Sequence, residues 1–233
     1  RDSAHYQLLK ETVGTSRRAC MDFLRGQKNI QESKPSLAKP RQRTGVPLKK
    51  LQLQTDLIFV RKTDLERSNP AFGKDATLKL ETYIITTVEA ASGLVKLSYL
   101  TSKDLTNAAL EKHIHWFAKK FGVSPSSFQV RSDKGSEYSM PRIKKLCPDY
   151  EFVPSASTCE RKNRQVQSNF YRILKNRQST SIVDALRKTE TMCNRTVAKK
   201  HKRTPIELVE DPTVTNKRII QQHNKTRNKF TVE

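Results

Sequence analysis

The chain has 233 residues, enough for one ordinary domain with an additional segment. Its hydrophobic content of 35% and charged content of 29% are lean for a globular protein but do not describe a disordered one. The formal net charge of +22 favours a polyanionic partner, above all nucleic acid, and no apolar run approaches the roughly 18 residues that a membrane-spanning helix needs.

The N-terminal part of the chain differs in composition from the rest. Residues 1–27 show two short stretches of helical spacing, which Gly14 separates and the second of which Ser16 can cap. A helix-turn-helix and a plain helical hairpin both fit this pattern. Residues 28–49 are rich in Lys, Arg, Pro and Ser, so they predict an extended basic linker of the kind that follows a phosphate backbone.

Three strands are predicted next. Residues 51–60 alternate apolar and polar side chains and end in a wholly apolar run, which predicts a strand entering the core with Asp56 at its middle. Residues 61–79 are polar and contain Asn, Pro and Gly, so they predict a long exposed loop. Residues 82–88 and 94–100 are rich in β-branched and aromatic side chains and predict two more strands, joined by an Ala-Ser-Gly turn.

A helix and a fourth strand follow. Residues 102–121 place four apolar side chains at helical spacing, and Gly122 ends the predicted helix. These four are Leu110, Ile114, Phe117 and Phe121. Residues 127–132 alternate apolar and polar side chains, which predicts a strand that ends at Asp133.

The remaining chain is predicted to be mainly helical, after a short helix at residues 141–146 and a short strand at residues 150–153. Glu160 opens a basic helix whose apolar stripe contains Val166, Phe170 and Ile173. A polar, mostly basic stripe on another face of this helix contains Lys162, Gln165, Asn169 and Arg172. Further helices are predicted over residues 181–198, from a capping box at Thr204, and within the basic residues 211–233.

This order of elements predicts an α/β domain over residues 50–210, with a mixed five-stranded sheet flanked by helices. The first and fourth strands can then lie side by side and point the same way. Asp56 and Asp133 would come close together, and Glu160 could reach both from the helix that follows.

Three converging carboxylates suit divalent cations, because Mg²⁺ prefers hard oxygen ligands. Two such ions can stabilise the attacking and the leaving oxygen of a phosphoryl displacement, with Asp56 bridging both and Asp133 and Glu160 each completing one. The alternative is structural. Asp56 could pair with a basic side chain, Asp133 could cap a turn, and Glu160 could be favoured by the helix dipole.

The cysteines point to no other metal site. There are four, with no C-x-x-C pair, so they fit neither a zinc site nor a disulfide framework, and a reducing compartment is expected. They are Cys20, Cys147, Cys159 and Cys193. Since the chain begins at Arg1 rather than Met, we expect it to be part of a longer protein.

Four short motifs occur in an order that a known family shares. They are Q-T-D ending at Asp56, A-S-G ending at Gly93, S-D-K-G-S-E-Y from Ser132 and E-R-K-N-R from Glu160. In this order they resemble the catalytic core of retroviral-type integrases and DDE transposases, which has an RNase H-like fold. Upstream, residues 17–39 are similar to the corresponding part of Maverick/Polinton-type integrases.

The resemblance implies a set of functional residues. Asp56, Asp133 and Glu160 would be the catalytic triad that binds Mg²⁺ or Mn²⁺. Six residues would bind DNA: Asn163, Arg164, Gln167, Lys162, Arg172 and Lys134. The activity implied is 3′-end processing and strand transfer of element DNA into a double-stranded target. A homo-oligomer, located in the nucleus or in a virion or mobile-element particle, is expected with it.

The sequence also departs from the family pattern. The stretch between Asp133 and Glu160 is shorter than in most relatives, Glu89 stands where many have Asp, and the His/His/Cys/Cys zinc module is missing from this sequence. Two other functions stay open. One is a non-catalytic DNA-binding descendant of an integrase. The other is an RNase H-like nuclease, for which Glu111 or Asp104 would supply the additional acid that such enzymes carry on the first helix.

Overall fold

The computed structural model of the chain describes most of the predicted core. The described residues are 48–72, 79–133, 135, 137–153, 157–179, 181–198 and 201–228. The predicted helices over residues 1–27, nearly all of the basic linker, Lys134 and the last residues of the tail lie outside the described residues.

The described strands form one five-stranded sheet in the order β3-β2-β1-β4-β5. The strands are β1 (Gln52–Arg61), β2 (Glu81–Glu89), β3 (Val95–Leu100), β4 (Gln129–Ser132) and β5 (Tyr150–Phe152). β1 and β3 pair antiparallel with β2, whereas β4 lies parallel to both β1 and β5. The predicted mixed sheet, with its first and fourth strands side by side, is therefore confirmed.

Helices cover both faces of this sheet. They are α1 (Lys62–Ser68), α2 (Thr106–Phe121), α3 (Met140–Leu146), α4 (Ser157–Lys175), α5 (Ile182–Arg195), α6 (Pro205–Glu210) and α7 (Asn216–Asn228). The four predicted apolar residues of α2 lie in one core, and the predicted stripe of α4 lies in a second core together with α5. Both helical stripes are thus buried as their 3.6-residue spacing predicts. Within the described ranges, no helix is both long and apolar enough to span a bilayer.

The stretch predicted as a long exposed loop after β1 is partly helical, so that prediction is wrong. Residues Lys62–Ser68 form α1, and Pro70–Phe72 add a 3₁₀ turn. Leu65 and Phe72 are buried, at 1% and 5% exposure. The sequence does not reveal this helix because its seven residues carry a single apolar side chain, which gives no periodicity to detect.

The apolar end of β1, predicted to enter the core, does so only with alternate side chains. Ile58 and Val60 point into the core, but Phe59 is 41% exposed and Leu57 is half-buried. Side chains alternate between the two faces of a strand, so a continuous apolar run is buried only where both faces are covered. At this end of β1 one face is partly open.

Glu89, which stands where many members of the resembled family have Asp, has a structural role in this fold. Its carboxylate is fully buried and accepts hydrogen bonds from the backbone N–H groups of Ala91 and Ser92, at 3.1 and 2.7 Å, and from the Ser92 hydroxyl at 2.7 Å. These bonds hold the turn between β2 and β3, where Gly93 has a φ of 78°. Glu89 is therefore an anchor of the turn.

Candidate active site

The parallel pairing of β1 and β4 places two of the predicted acids together. Thr55 of β1 lies opposite Ser132 of β4, so Asp56 and Asp133 follow at the same level of the sheet. Each acid is close enough to the other for mutual repulsion, which contributes to the raised pKa of Asp56. β4 ends here, whereas β1 continues to Arg61 beside β2.

Asp56 is held from two sides. Its Oδ1 accepts a hydrogen bond from the N–H of Leu57 at 2.8 Å, and its Oδ2 accepts one from Nδ2 of Asn163 at 2.7 Å. Burial raises the pKa of Asp56 to about 6, and the negative charges of Asp133 and Glu160 add to this rise. The carboxyl group is thus oriented, partly desolvated and surrounded by like charge.

Asp133 is also partly desolvated and surrounded by negative charge. Burial raises the pKa of its carboxyl above the usual range, and the charges of Glu137 and Glu160 raise it further, while the ammonium of Lys103 opposes them. Its Oδ1 is buried and has no hydrogen-bond partner among the described residues. A buried carboxylate oxygen without a partner is costly, and a cation would remove that cost.

Glu160 lies in the first turn of α4, and a side chain of β1 holds that turn in place. Oε1 of Gln54 accepts hydrogen bonds from the N–H groups of Thr158 and Cys159, at 3.1 and 3.4 Å. Gln54 and Asp56 share one face of β1, since they are two residues apart on a strand. The start of α4 is therefore docked beside Asp56, with Glu160 and Asn163 on the side of the acids.

The donor set fits a divalent cation in its chemistry, although not yet in its distances. Carboxylate oxygens are the ligands that Mg²⁺ and Mn²⁺ prefer, and the raised pKa of Asp56 and the unpaired oxygen of Asp133 both indicate a deficit of positive charge. In the part of the chain that the structure describes, however, no three His, Cys, Asp or Glu side chains lie close enough to hold an ion. Like charges repel, and a cation bound between the carboxylates would offset that repulsion.

The residues predicted to bind DNA are divided by the packing of α4. Arg164, Gln167 and Arg172 are exposed, as the prediction requires. Asn163 is only 8% exposed and bonds to Asp56, so its observed contact is with the acids.

Lys162 was predicted to lie on an exposed basic face of α4, but its environment differs. It is half-buried, burial lowers its pKa, and it lies within reach of Cys193. In the same stripe, Nδ2 of Asn169 donates to Sγ of Cys193 at 3.5 Å. Part of the predicted stripe therefore faces α5, a contact that helical spacing alone does not predict.

Sequence reasoning assigned no role to Glu137, the fourth acid of the site. Its charge acts on both Asp133 and Asp56. α2 holds the loop that carries it, because Asn107 donates from Nδ2 to the carbonyl of Glu137 at 3.0 Å and accepts at Oδ1 from the N–H of Ser139 at 2.8 Å. In the sequence, Glu137 is the second acid of the S-D-K-G-S-E-Y motif, and this position could have indicated that it belongs to the site.

The architecture is the RNase H-like fold of retroviral integrase catalytic cores. The HTLV-2 integrase catalytic core domain in complex with magnesium matches in its dimeric form with a TM-score of 0.51 and 14% identity over 72% of this chain and 98% of that one. Its trimeric form gives a TM-score of 0.50 and 14% identity over 69% and 95%. The catalytic core domain of BIV integrase gives 0.47 and 19% over 68% and 92%.

Sequence comparison adds nothing to this structural likeness. No protein-family model and no curated protein matches the chain. At identities of 14% the similarity to the HTLV-2 structures establishes the fold alone.

Proposed function

We propose that this chain contains the catalytic core of a DNA integrase or transposase of the DDE type. The observation that carries the proposal is the register of β1 and β4, which sets Asp56 beside Asp133, together with the charge of Glu160, in the first turn of α4, acting on Asp56. The three come from distant parts of the sequence, and the fold that unites them is the one used by integrase cores. The narrower resemblance to Maverick/Polinton-type integrases stays a prediction.

The reaction proposed has two steps. Water first attacks a phosphodiester near the element end and frees a 3′-hydroxyl, which then attacks a phosphodiester of the target and displaces its 3′-oxygen. Mg²⁺ or Mn²⁺, when bound by the three carboxylates, would activate the attacking oxygen and stabilise the charge that develops on the phosphate. Leu57 and Asn163 would orient Asp56, and Gln54 would keep Glu160 at the site.

The proposed partner is double-stranded DNA, both as element end and as target. The net charge of +22 and the exposed Arg164, Gln167 and Arg172 of α4 support phosphate contacts beside the acids. The basic residues 28–49 and 211–233 would extend this contact. Joining two ends needs at least two active sites, so we also propose a homo-oligomer acting in the nucleus or in an element particle.

The nuclease alternative is less well supported. Of the two candidates for its additional acid, Glu111 is bound by Arg142 instead, with Nε to Oε1 at 2.6 Å and Nη2 to Oε2 at 2.8 Å. This pairing lowers the pKa of Glu111 and keeps its carboxylate engaged on the surface. Glu111 therefore serves as a matched control for Glu160.

Strand transfer tests the proposal. A labelled duplex with a recessed 3′ end is incubated with supercoiled plasmid and Mn²⁺, using the wild-type chain, Glu160→Gln and Glu111→Gln. Joining of label to plasmid by wild type and Glu111→Gln, with loss in Glu160→Gln despite unchanged DNA binding, supports the proposal. Binding without joining by the wild type would support the inactive descendant, and cleavage of RNA–DNA hybrids without joining would support the nuclease.

A further inference from the structure

Two aromatic rings form a partly exposed pair on the sheet near the acids. Phe59 of β1 and Tyr83 of β2 are direct partners across the two strands. Their ring centroids are 5.7 Å apart with an interplanar angle of 46°. Each of the other aromatic pairs among the described residues includes a buried ring, whereas Phe59 is 41% exposed and Tyr83 is half-buried.

A cation lies over each of these two rings. The guanidinium carbon of Arg61 is 5.7 Å from the centroid of Phe59, and Nζ of Lys103 is 5.5 Å from the centroid of Tyr83. Both basic residues are exposed. Aromatic faces flanked by Arg or Lys are the arrangement on which proteins stack the bases of single-stranded nucleic acid while pairing its phosphates.

The platform, as we call Phe59, Tyr83, Arg61 and Lys103, lies close to the acids. Phe59 is three residues beyond Asp56 on the same strand, which corresponds to about 10 Å. Lys103 interacts with both the platform and the acids, because its ammonium lies over Tyr83 and also attracts the carboxylate of Asp133.

Along the edge of β1, no described strand lies between the acids and the platform. The pairing of β1 with β4 ends at Thr55 and Ser132, whereas its pairing with β2 continues to Arg61. From Asp56 onward, the side of β1 away from β2 is therefore a free sheet edge within the described residues. Asp56 and Phe59 point to opposite faces of β1, and a DNA strand that rounds this edge can reach both.

We propose that the platform stacks an unpaired base of the DNA strand complementary to the one processed at the acids. Removing the terminal nucleotides of one strand leaves a short 5′ overhang on the other, and its bases then lack partners. Phe59 would stack on such a base, while Arg61 and Lys103 would pair with the flanking phosphates. This inference deepens the proposed function and rests on it.

A fluorescent base analogue tests the platform. A duplex with a two-nucleotide 5′ overhang carries 2-aminopurine in the overhang, and the full 233-residue chain is added in Ca²⁺ so that no cleavage follows. We expect quenching by the wild type, and in Phe59→Ala a loss of quenching with about tenfold weaker binding of overhang DNA. Binding of a blunt duplex should stay within twofold. Phe59→Trp should keep the quenching, and Val183→Ala, at a side chain 65% exposed on α5, is the control for loss of a surface apolar group.

The outcomes separate this inference from the proposed function. Unchanged quenching and overhang affinity in Phe59→Ala, with the same melting temperature as wild type, would overturn the platform. So would a Phe59→Ala chain that quenches normally but loses self-association in sedimentation, since the surface would then bind a second copy. If the wild type carries out strand transfer but shows no quenching, the platform is overturned and the integrase activity stands. If the wild type shows quenching but no strand transfer, base stacking on the platform stands and the integrase activity is refuted.

Discussion

Asn163 donates a hydrogen bond from its amide to Oδ2 of Asp56 at 2.7 Å, joining the second turn of α4 to the middle of β1. The amide oxygen of Asn163, Oδ1, is buried and has no hydrogen-bond partner among the described residues. The bond favours the charged form of Asp56 at a place where burial and three neighbouring acids favour the neutral form. Asn163 thus counteracts part of the cost of assembling the site before a cation arrives.

Removing this donor should change the acid that it holds. In Asn163→Ala we expect the pKa of Asp56 to rise further above about 6, because one stabilising hydrogen bond to the carboxylate is lost. Carboxyl ¹³C chemical shifts followed through a pH titration measure this directly. Arg164→Ala, the exposed neighbour on the same helix, is the control. Identical titration curves for Asn163→Ala and wild type would show that the bond has no energetic weight.

The raised pKa of Asp56 predicts a pH-dependent loss of stability in the metal-free protein. Since the folded-state pKa of about 6 lies above the ordinary value of 3.8, this group contributes stability below pH 4 that is lost as the pH rises through about 6. Asp56→Asn should remove that loss and raise the free energy of unfolding at pH 7.5 by about 1–2 kcal/mol, after allowance for solvent screening.

Thermal unfolding between pH 4 and 8, with and without Mg²⁺, measures this effect. The gain in Asp56→Asn corresponds to a few degrees for a chain of this size. Mg²⁺ should stabilise the wild type more at pH 7.5 than at pH 5, because protons compete with the cation for Asp56, and it should not stabilise Asp56→Asn. A variant that melts below the wild type at pH 7.5 would contradict the assignment.

Glu137 should act on the site through its charge. We expect Glu137→Gln to lower the pKa of Asp133, since Glu137 is the strongest of the charges that raise it. The affinity for Mn²⁺ should fall about three- to tenfold, because a unit charge several ångströms away contributes on the order of 1 kcal/mol. Isothermal titration and carboxyl NMR provide the two readouts, with Glu111→Gln as the control for loss of a surface charge.

Glu89 should behave differently from the acids of the site, although it too is a buried acid. Glu89→Ala leaves the N–H groups of Ala91 and Ser92 and the Ser92 hydroxyl without their acceptor, so we expect a loss of about 3 kcal/mol in unfolding free energy. Denaturant unfolding measures this loss. Mn²⁺ affinity, measured below the melting temperature, should stay within twofold of wild type, and a larger fall would make Glu89 part of the metal site.

The neighbouring positions of Asp56 and Asp133 followed from elementary rules. An alternating strand, hairpin connections and one crossover helix are enough to set β1 beside β4. Asp56 and Asp133 then lie at the same level of the sheet because Thr55 pairs with Ser132. The capping box at Thr204 formed as predicted, since its two hydrogen bonds are local.

Other features depend on contacts between distant segments, and the sequence did not reveal them. Lys162 is half-buried because α5 packs against that side of α4, and Phe59 is exposed because the cover of one sheet face is incomplete at the end of β1. α1 buries one apolar side chain, Leu65, and the 3₁₀ turn after it buries Phe72, too few to produce a periodic pattern. In each case the deciding partner is remote in sequence.

Anomalous diffraction from crystals of the wild-type chain soaked in Mn²⁺ tests the shared cation site most directly. We expect a manganese peak between the carboxylates of Asp56 and Asp133, at ordinary metal–oxygen distances, that disappears in Asp133→Asn. Absence of any peak there, with the two carboxylates still apart at millimolar Mn²⁺, would contradict it.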